Sequence, residues 1–268
     1  TYGPTPMHSK SLEVLSHVLG AVYFTSWSLS FYPQAILNWR RKSVTGLSFD
    51  FLILNVTGYV CYSTYTLAFL LSRRVQAEYH AGHTGPIPVD PSDAAFAVHG
   101  LLLTLITISQ CFMYDRGDQL PSRISVALAA CMWLSIIGTC VAAAFGGLTW
   151  LDFVYWLSYL KLAVTLCKYI PQAYLNYQRK STVGWSIGNV LLDLNGGFWS
   201  FAQQGVDAID DGSTSVFTGN VVKLGLSILT VCFDSFFIVQ HYCLYPQPQD
   251  KATKHLISGQ SDLEEGDD

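Results

Sequence analysis

Charged residues are scarce in this chain of 268 residues: Asp, Glu, Lys and Arg make up 13%, whereas hydrophobic residues make up 50%. Soluble globular domains carry roughly 25% charged residues. The composition therefore excludes a soluble domain of this length, and the positive mean hydropathy indicates the same. We therefore expect a membrane protein that is embedded in the lipid bilayer.

Paired cysteines are also missing. The seven cysteines lie in or beside apolar segments without a CxxC spacing, so neither a disulfide framework nor a zinc site is expected. The chain shows no nucleophile–base pair, no cluster of metal ligands and no phosphate-binding loop. We therefore expect no enzyme, no metal, no organic cofactor and no nucleic-acid partner.

What the chain does contain is a series of long apolar segments. A membrane-spanning helix needs roughly 20 mostly apolar residues. Segments of about that length lie at 14–37, 51–72, 94–114, 124–146, 153–176, 188–206 and 221–244. The sequence thus predicts an all-α polytopic membrane protein with seven spans.

A repeat organises these spans. FYPQAILNWRRKSVTGLS, which begins at Phe31, returns without a gap as YIPQAYLNYQRKSTVGWS, which begins at Tyr169. The matched positions differ by 138, as Pro33 and Pro171 do. Such duplication is typical of carriers built from two related bundles with a substrate site between them.

The loop charges predict the orientation. Short loops on the cytoplasmic side carry an excess of Lys and Arg, and both repeat loops are basic. Both copies then face the same way: two parallel three-helix bundles joined by a linker helix, or 3+1+3. The amino terminus is luminal and the carboxyl terminus cytosolic.

The predicted parts are bundle 1–114 with a loop at 31–51, linker 115–150, bundle 151–245 with a loop at 169–189, and a disordered acidic tail at 246–268.

Ionisable groups within the spans are candidates for function, because burying them in hydrocarbon costs several kcal/mol. Asp193 lies in the sixth span and Lys168 in the fifth. Asp193 is either paired permanently with Lys168 or a titrating group that carries a proton. For Asp234 in the last span, proton coupling and a helix-to-helix hydrogen bond are both open. Asp93 is either a helix cap or a minor gate.

The first copy contributes neutral groups. Trp27, Phe31 and Gln34 recur at helical spacing, and Asn55 occupies the position that corresponds to Asp193. We expect Asn55 to face the same central cavity. One half of the carrier would then offer neutral hydrogen bonds while the other changes its charge.

The two prolines are candidate hinges. Each removes a backbone donor within a helix and so favours a kink. A static kink is the alternative. Because the pairs Pro33–Gln34 and Pro171–Gln172 match in the two copies, we favour paired hinges for alternating access.

The paired Pro-Gln motifs, each followed by Asn, basic residues, Ser and Gly, resemble the PQ-loop transporter family. The stretches FYPQAILNWRRKSVTGLSFDF, KLAVTLCKYIPQAYLNYQRKSTVGWSIGNVLLD and FDSFFIVQHYCLY are similar to its proton-coupled cystine exporters. The resemblance implies export of L-cystine together with a proton across a lysosomal or vacuolar membrane. Sorting or signalling partners stay open.

The resemblance also implies roles for individual residues. Asp193 would be the proton-coupling carboxylate, with Asp93 and Asp234 as secondary sites. The implied cystine site consists of Trp27, Phe31, Asn55, Lys168, Asn176, Asn189 and Asp193. Three alternatives stay open: an exporter of another amino acid, a sugar carrier of the SWEET type, and a seven-span receptor that does not transport.

Overall fold

The computed structural model describes residues 9–82, 87–89, 91–210 and 221–246. Within these residues every regular element is a helix, and the β pairing is limited to an isolated bridge between Ser43 and Asp115. The all-α class predicted from the sequence is confirmed. The predicted acidic tail lies outside the described residues from position 247 onward.

Nine α-helices follow one another in the described part of the chain. They are α1 (Lys10–Arg41), α2 (Phe49–Leu71), α3 (Arg73–Gly82), α4 (Pro91–Met113), α5 (Arg123–Ala144), α6 (Trp150–Cys167), α7 (Tyr169–Arg179), α8 (Ile187–Asp210) and α9 (Val221–Ile238). A π-helical turn, Val239–Leu244, extends α9. Each predicted span coincides with a helix, except that α6 and α7 divide the fifth. Helix α3 was not predicted.

Four helical segments are long and apolar enough to cross a membrane by length and composition alone. They are Lys10–Arg41, Asp93–Met113, Arg123–Ala144 and Ser227–Leu244. Other helices carry polar side chains that face the interior, such as Asn55 in α2 and Asp193 in α8. Large apolar side chains are exposed on the outer surfaces, among them Phe112 and Ile124. A multi-pass membrane protein accounts for these surfaces.

The two copies of the repeat pack crosswise. Helix α1 of the first copy packs against α8 of the second, and α2 of the first packs against α6 of the second. Within the copies, α4 packs against α1 and α2, and α9 packs against α8. Helix α5 contacts α2 and α6. The interior of the molecule therefore lies between the two copies.

The two Pro-Gln segments differ in their helices. Helix α1 continues through Pro33 without a break. In the second copy the helix is interrupted at Lys168, and Pro171 is the third residue of α7, where its missing N–H costs little. The paired-hinge prediction stays a prediction, but the local backbone at the two prolines is not the same.

A side-chain cap begins α6. The Thr149 hydroxyl donates to Asp152 Oδ2 at 2.7 Å. The Thr149 backbone N–H donates to the same oxygen at 3.0 Å, and the Asp152 backbone N–H donates back to Thr149 Oγ1 at 3.0 Å. This reciprocal arrangement is a capping box. Because the hydrogen bonds from Thr149 stabilise the charged carboxylate, they lower the pKa of Asp152.

Candidate functional site

The two repeat loops lie against each other at one end of the molecule, which we call the loop end. Each helix before a loop ends in a left-handed residue, Lys42 with φ 51° and Lys180 with φ 49°. Each loop then contains a glycine with positive φ, 99° at Gly46 and 103° at Gly184. The same two left-handed backbone positions thus recur in both copies.

The glycines allow the loops to touch. A Cβ added to Gly46 would collide with Val183 O, and one added to Gly184 would collide with Thr45 O. Both positions also have a backbone conformation that only glycine adopts easily. The sequence therefore permits a direct backbone contact between the copies at this point.

The glutamines of the Pro-Gln motifs fasten each copy to the loop of the other. Gln34 Nε2 donates to Gly184 O at 2.9 Å, and Gln34 Oε1 accepts from Ser186 N at 2.8 Å. Gln172 Nε2 donates to Gly46 O at 3.0 Å, and its Oε1 accepts from Ser48 N at 2.7 Å. Both glutamines are buried, so these four bonds close the loop end.

A second layer of amides holds the glutamines in place. Asn38 Oδ1 accepts from Gln34 and its Nδ2 donates to Gln110. Asn176 makes the matching bonds, at 2.9 Å each, to Gln172 and Gln240. The side chain of Asn176 is fully buried in this network and does not border the central cavity. Its implied role at the substrate stays a prediction, and its position in this conformation does not support it.

A cavity of about 570 Å³ lies between the copies. This volume suits a small organic ligand. At the loop end its lining residues are buried, namely Gln34, Leu47 and Trp185. At the opposite end, which we call the open end, the lining includes the exposed Pro88 and the partly exposed Asp93. The cavity is thus accessible from one side.

Most of the predicted site residues meet in this cavity. Trp27, Phe31, Asn55, Lys168, Asn189, Asp193 and Asp93 all line it, together with Gln34 of the first motif. Asn176, Asp234, Gln172 and the two prolines do not.

Lys168 and Asp193 each bind a neutral partner. Lys168 Nζ donates to Asn55 Oδ1 at 3.2 Å, and the Tyr169 hydroxyl donates to Asp193 Oδ2 at 2.8 Å. Among the described residues the one salt bridge joins Arg74 and Glu78, so Lys168 and Asp193 form none. A permanent ion pair between them, one of the two alternatives raised by the sequence, is absent from this structure.

Aromatic rings form the wall contributed by the first copy. Trp27 Nε1 donates to the backbone carbonyl of Asp193 at 3.1 Å, and a Cβ added to Gly196 would collide with the Trp27 ring. Phe31 packs edge-on against Tyr59, with ring centroids 5.6 Å apart. Gly196 therefore allows Trp27 to reach α8 close to the carboxylate.

Lys161 is a second lysine at the cavity, to which sequence reasoning gave no role at the substrate. Its Nζ lies 4.4 Å from the centroid of the Tyr59 ring and 5.5 Å from that of Tyr62. Aromatic faces stabilise a cation in this position. The spacing of Lys161 and Lys168 along one helix face was the available signal.

Tyr169 was also missed as a site residue. It is the counterpart of Phe31 in the repeat, and the hydroxyl that distinguishes the two is the group that binds Asp193. The comparison of the copies that singled out Asn55 and Asp193 was sufficient to find it.

Asp234 lies outside the cavity and is 1% exposed. Its Oδ2 has no hydrogen-bond partner among the described residues. It interacts electrostatically with Asp193 and Lys168. A helix-to-helix hydrogen bond, one of the two roles left open for Asp234, is therefore not seen at this oxygen among the described residues.

Comparison with protein families matches the PQ loop repeat to residues 15–73 and 153–203. These two matches begin 138 residues apart, as the repeat in the sequence does. The chain is 49% identical over 246 residues to a cystinosin homolog of Dictyostelium discoideum, covering 92% of this chain and 87% of that one.

Two further relatives are similar over most of this chain. Bovine cystinosin is 44% identical over 89% of this chain, which spans 65% of that protein. A cystine transporter of Saccharomyces cerevisiae is 29% identical over 91% of this chain and 99% of its own length.

Proposed function

Since the chain belongs to the cystinosin group of PQ-loop proteins, we propose that it exports L-cystine from an acidic lysosome or vacuole into the cytosol together with protons. Relatives named cystinosin and cystine transporter support the substrate. The direction and the coupling rest on the charged groups at the cavity.

The proposed architecture has seven spans in the 3+1+3 arrangement. Helices α1, α2 and α4 form the first bundle, α5 the linker, and α6–α7, α8 and α9 the second. The crosswise packing of α1 with α8 and of α2 with α6 supports two equivalent units. The basic loop end is cytosolic and the open end is luminal, because Lys and Arg favour the cytoplasmic side.

One observation carries the proposal: Lys168 and Asp193 border the same cavity while each binds a neutral side chain. Cystine carries an ammonium and a carboxylate at each end, so it can bind both groups with charge-assisted hydrogen bonds. Asn55 and Tyr169 hold the two charges in position until the ligand arrives. A neutral sugar does not require such a pair.

Alternating access would result from closing and opening the contact between the two repeat loops. With the crossed glutamine bonds intact, cystine enters the cavity from the lumen, where Asp193 takes up a proton. Separation of the two loops then opens the cavity toward the cytosol, and the higher pH there releases the proton. Cystine and the proton move in the same direction, so the pH gradient drives export.

Transport in liposomes tests this directly. The protein is reconstituted, a pH gradient is imposed with the acidic side at the open end, and labelled L-cystine is followed. We expect accumulation on the neutral side. Asp193→Asn should bind cystine yet lose stimulation by the gradient, whereas Asp118→Asn, at an exposed loop carboxylate, should behave like the wild type. Stimulated transport by Asp193→Asn contradicts the proposal.

Competition distinguishes the alternatives. Inhibition by unlabelled cystine but not by glucose or sucrose separates this carrier from sugar carriers. Stronger inhibition by lysine or arginine than by cystine would favour an exporter of cationic amino acids, against which the nearby Lys168 argues. Binding without accumulation would indicate a receptor.

A further inference from the structure

Polar side chains fill part of the interface between α8 and α9, away from the cystine cavity. Ser227 Oγ donates to Ser200 Oγ at 3.0 Å, and both side chains are fully buried. Gln204 Nε2 donates to Ser200 O at 3.2 Å and lies 3.5 Å from Ser227 Oγ. None of the three borders the cavity. Hydroxyl and amide hydrogen bonds are an ordinary way to join two membrane helices, but this cluster also contains an acceptor that those bonds do not satisfy.

An acceptor in the cluster is left open. Gln204 is 2% exposed, yet its Oε1 has no hydrogen-bond partner among the described residues. Burying an unsatisfied acceptor costs about 1 to 3 kcal/mol. A water molecule bound between such groups offsets that cost and requires two to four polar partners, roughly the number present here.

The cluster continues toward Asp234. On α9, Ser227, Thr230 and Asp234 are spaced by three and four residues and therefore share one face. On α8 a Cβ at Gly197 would approach Thr230 Cγ2 to 2.9 Å, so the glycine brings that threonine against the helix backbone. Asp234 Oδ2, the second open acceptor, lies at the end of this row.

The opposite end of the row approaches the open end of the molecule. Asp207 follows Gln204 by three residues on the same face of α8 and is partly exposed. It accepts a hydrogen bond from Ser16 Oγ of α1. A partly exposed carboxylate at this position is suited to collect protons from the lumen.

From these contacts we infer a proton path between α8 and α9, which runs from Asp207 through Gln204, Ser200, Ser227 and Thr230 to Asp234. Water molecules held by the hydroxyls and by the two open acceptors complete it. The inference rests on the proposed function, since it names the route by which a second proton reaches Asp234 in addition to the proton on Asp193. Thr230 is the member of the path that also borders the cavity.

A separate path solves a problem of access. Bound cystine occupies the space between the open end and Asp193, and so it hinders protons that come through the cavity. The path between α8 and α9 can deliver a proton to Asp234 from the side that faces away from the cavity. The groups that face it are Asp193 of α8, Lys168 before α7 and Tyr169 of α7. A proton on Asp234 removes a negative charge near Asp193 and Lys168, which changes how strongly both hold the zwitterionic ligand.

The test compares two transport modes of the Ser200→Ala/Ser227→Ala double variant. Exchange of labelled for unlabelled cystine at equal acidic pH does not require the proton to leave, whereas gradient-driven uptake does. We expect gradient-driven uptake to fall about tenfold, below the 10²–10⁴-fold typical of a positioned proton donor because Gln204 and Thr230 still hold water. Exchange should stay within about twofold of wild type. The solvent isotope effect of uptake in deuterium oxide should increase, because proton delivery becomes rate-limiting.

Ser63→Ala is the matched control, since Ser63 is a buried serine of α2 that does not border the cavity. It should leave both modes and the isotope effect unchanged. If the serine changes impair folding, Gln204→Leu takes the place of the double variant. It keeps the volume but removes the amide, and it should show the same selective loss of gradient-driven uptake.

Unchanged gradient-driven uptake and isotope effect in both variants overturn the path. Loss of both transport modes in both variants overturns it too, because the residues then act on folding or on substrate movement. If instead the wild type shows no proton-driven cystine uptake in the same liposomes, the proposed function fails rather than the path alone.

Discussion

Gln34 and Gln172 each bind the loop that follows the other: Gln34 Nε2 is 2.9 Å from Gly184 O, and Gln172 Nε2 is 3.0 Å from Gly46 O. The two motifs therefore meet at one joint, where each copy holds its counterpart. Closure of the loop end depends on both glutamines at the same time.

Replacing Gln172 by Leu should open this joint. The side chain makes bonds to Gly46 O, Ser48 N and Asn176 Oδ1, and at roughly 1 kcal/mol per buried bond their loss disfavours the closed form by about 2 to 3 kcal/mol. A single cysteine at Leu47, which is fully buried, reports opening through labelling by an impermeant maleimide in a background free of other cysteines. Labelling should accelerate.

Gln76→Leu provides the comparison for that measurement. Gln76 also donates two bonds to backbone carbonyls, those of Phe69 and Leu70, but at the opposite end of α2. It should not alter labelling at position 47. Equal labelling rates in the Gln172→Leu variant and the wild type would show that the crossed bonds do not hold the loops closed.

Gly46→Ala should impair transport because the loops can no longer touch. The new Cβ meets Val183 O and Arg179 Nη1, and a φ of 99° costs a non-glycine residue about 1 to 3 kcal/mol. We expect cystine uptake to fall at least about fivefold, the factor that corresponds to 1 kcal/mol. Gly184→Ala should do the same. Gly138→Ala in α5, where a Cβ has nothing within 4 Å, should leave uptake intact.

Gly196→Ala should weaken cystine binding. The added methyl displaces Trp27, which then loses its bond to the Asp193 carbonyl and its place in the cavity wall. A loss of about 1.4 kcal/mol raises KM about tenfold. Gly205→Ala lies on the same helix with open space around it and should not change KM. A normal KM for Gly196→Ala would place Trp27 outside the binding site.

Thr149→Ala should destabilise the start of α6 by about 1 kcal/mol at neutral pH, as is usual for the loss of a helix cap. Because Thr149 lowers the pKa of Asp152, the carboxylate contributes stability above about pH 4, the ordinary aspartate pKa. That contribution disappears as the pH falls through the lowered pKa.

Thermal unfolding in detergent at pH 7 and pH 3 measures the difference. The difference in unfolding temperature between the wild type and Thr149→Ala should be smaller at pH 3 than at pH 7. Thr139→Ala, which loses bonds to carbonyls of its own helix alone, should show the same gap at both values. A constant gap for Thr149→Ala would mean that the Asp152 charge does not contribute.

The sequence predicted most of the cavity because the repeat carries positional information. Matching positions in the two copies adopt the same backbone at Gly46 and Gly184. The alignment predicted that Asn55 faces the central cavity, where it binds Lys168. Tyr169 was within reach of the same comparison, since Phe31 lacks its hydroxyl.

Other features have no signal in the alignment. Gln110 and Gln240 support the two asparagines, but they are 130 residues apart rather than 138, so the repeat does not pair them. Pro171 cannot donate to the carbonyl of Cys167, where α6 ends, but α1 continues through the matching Pro33, so the alignment does not predict the break at Lys168. Helix α3 is too short and too polar to stand out as a span. Asn176 was assigned to the substrate, although its amide is occupied at the loop end.

The contact between Gly46 and Gly184 also bears on how the two halves could diverge after duplication. A mutation in one loop must be tolerated by the other, because each forms part of the surroundings of its twin. A substitution at either position disturbs both loops, whereas a helix face that meets the ligand from one half alone can change without affecting the other half. The contact therefore favours two loops that stay alike, whereas Phe31 and Tyr169 are free of it and differ between the copies.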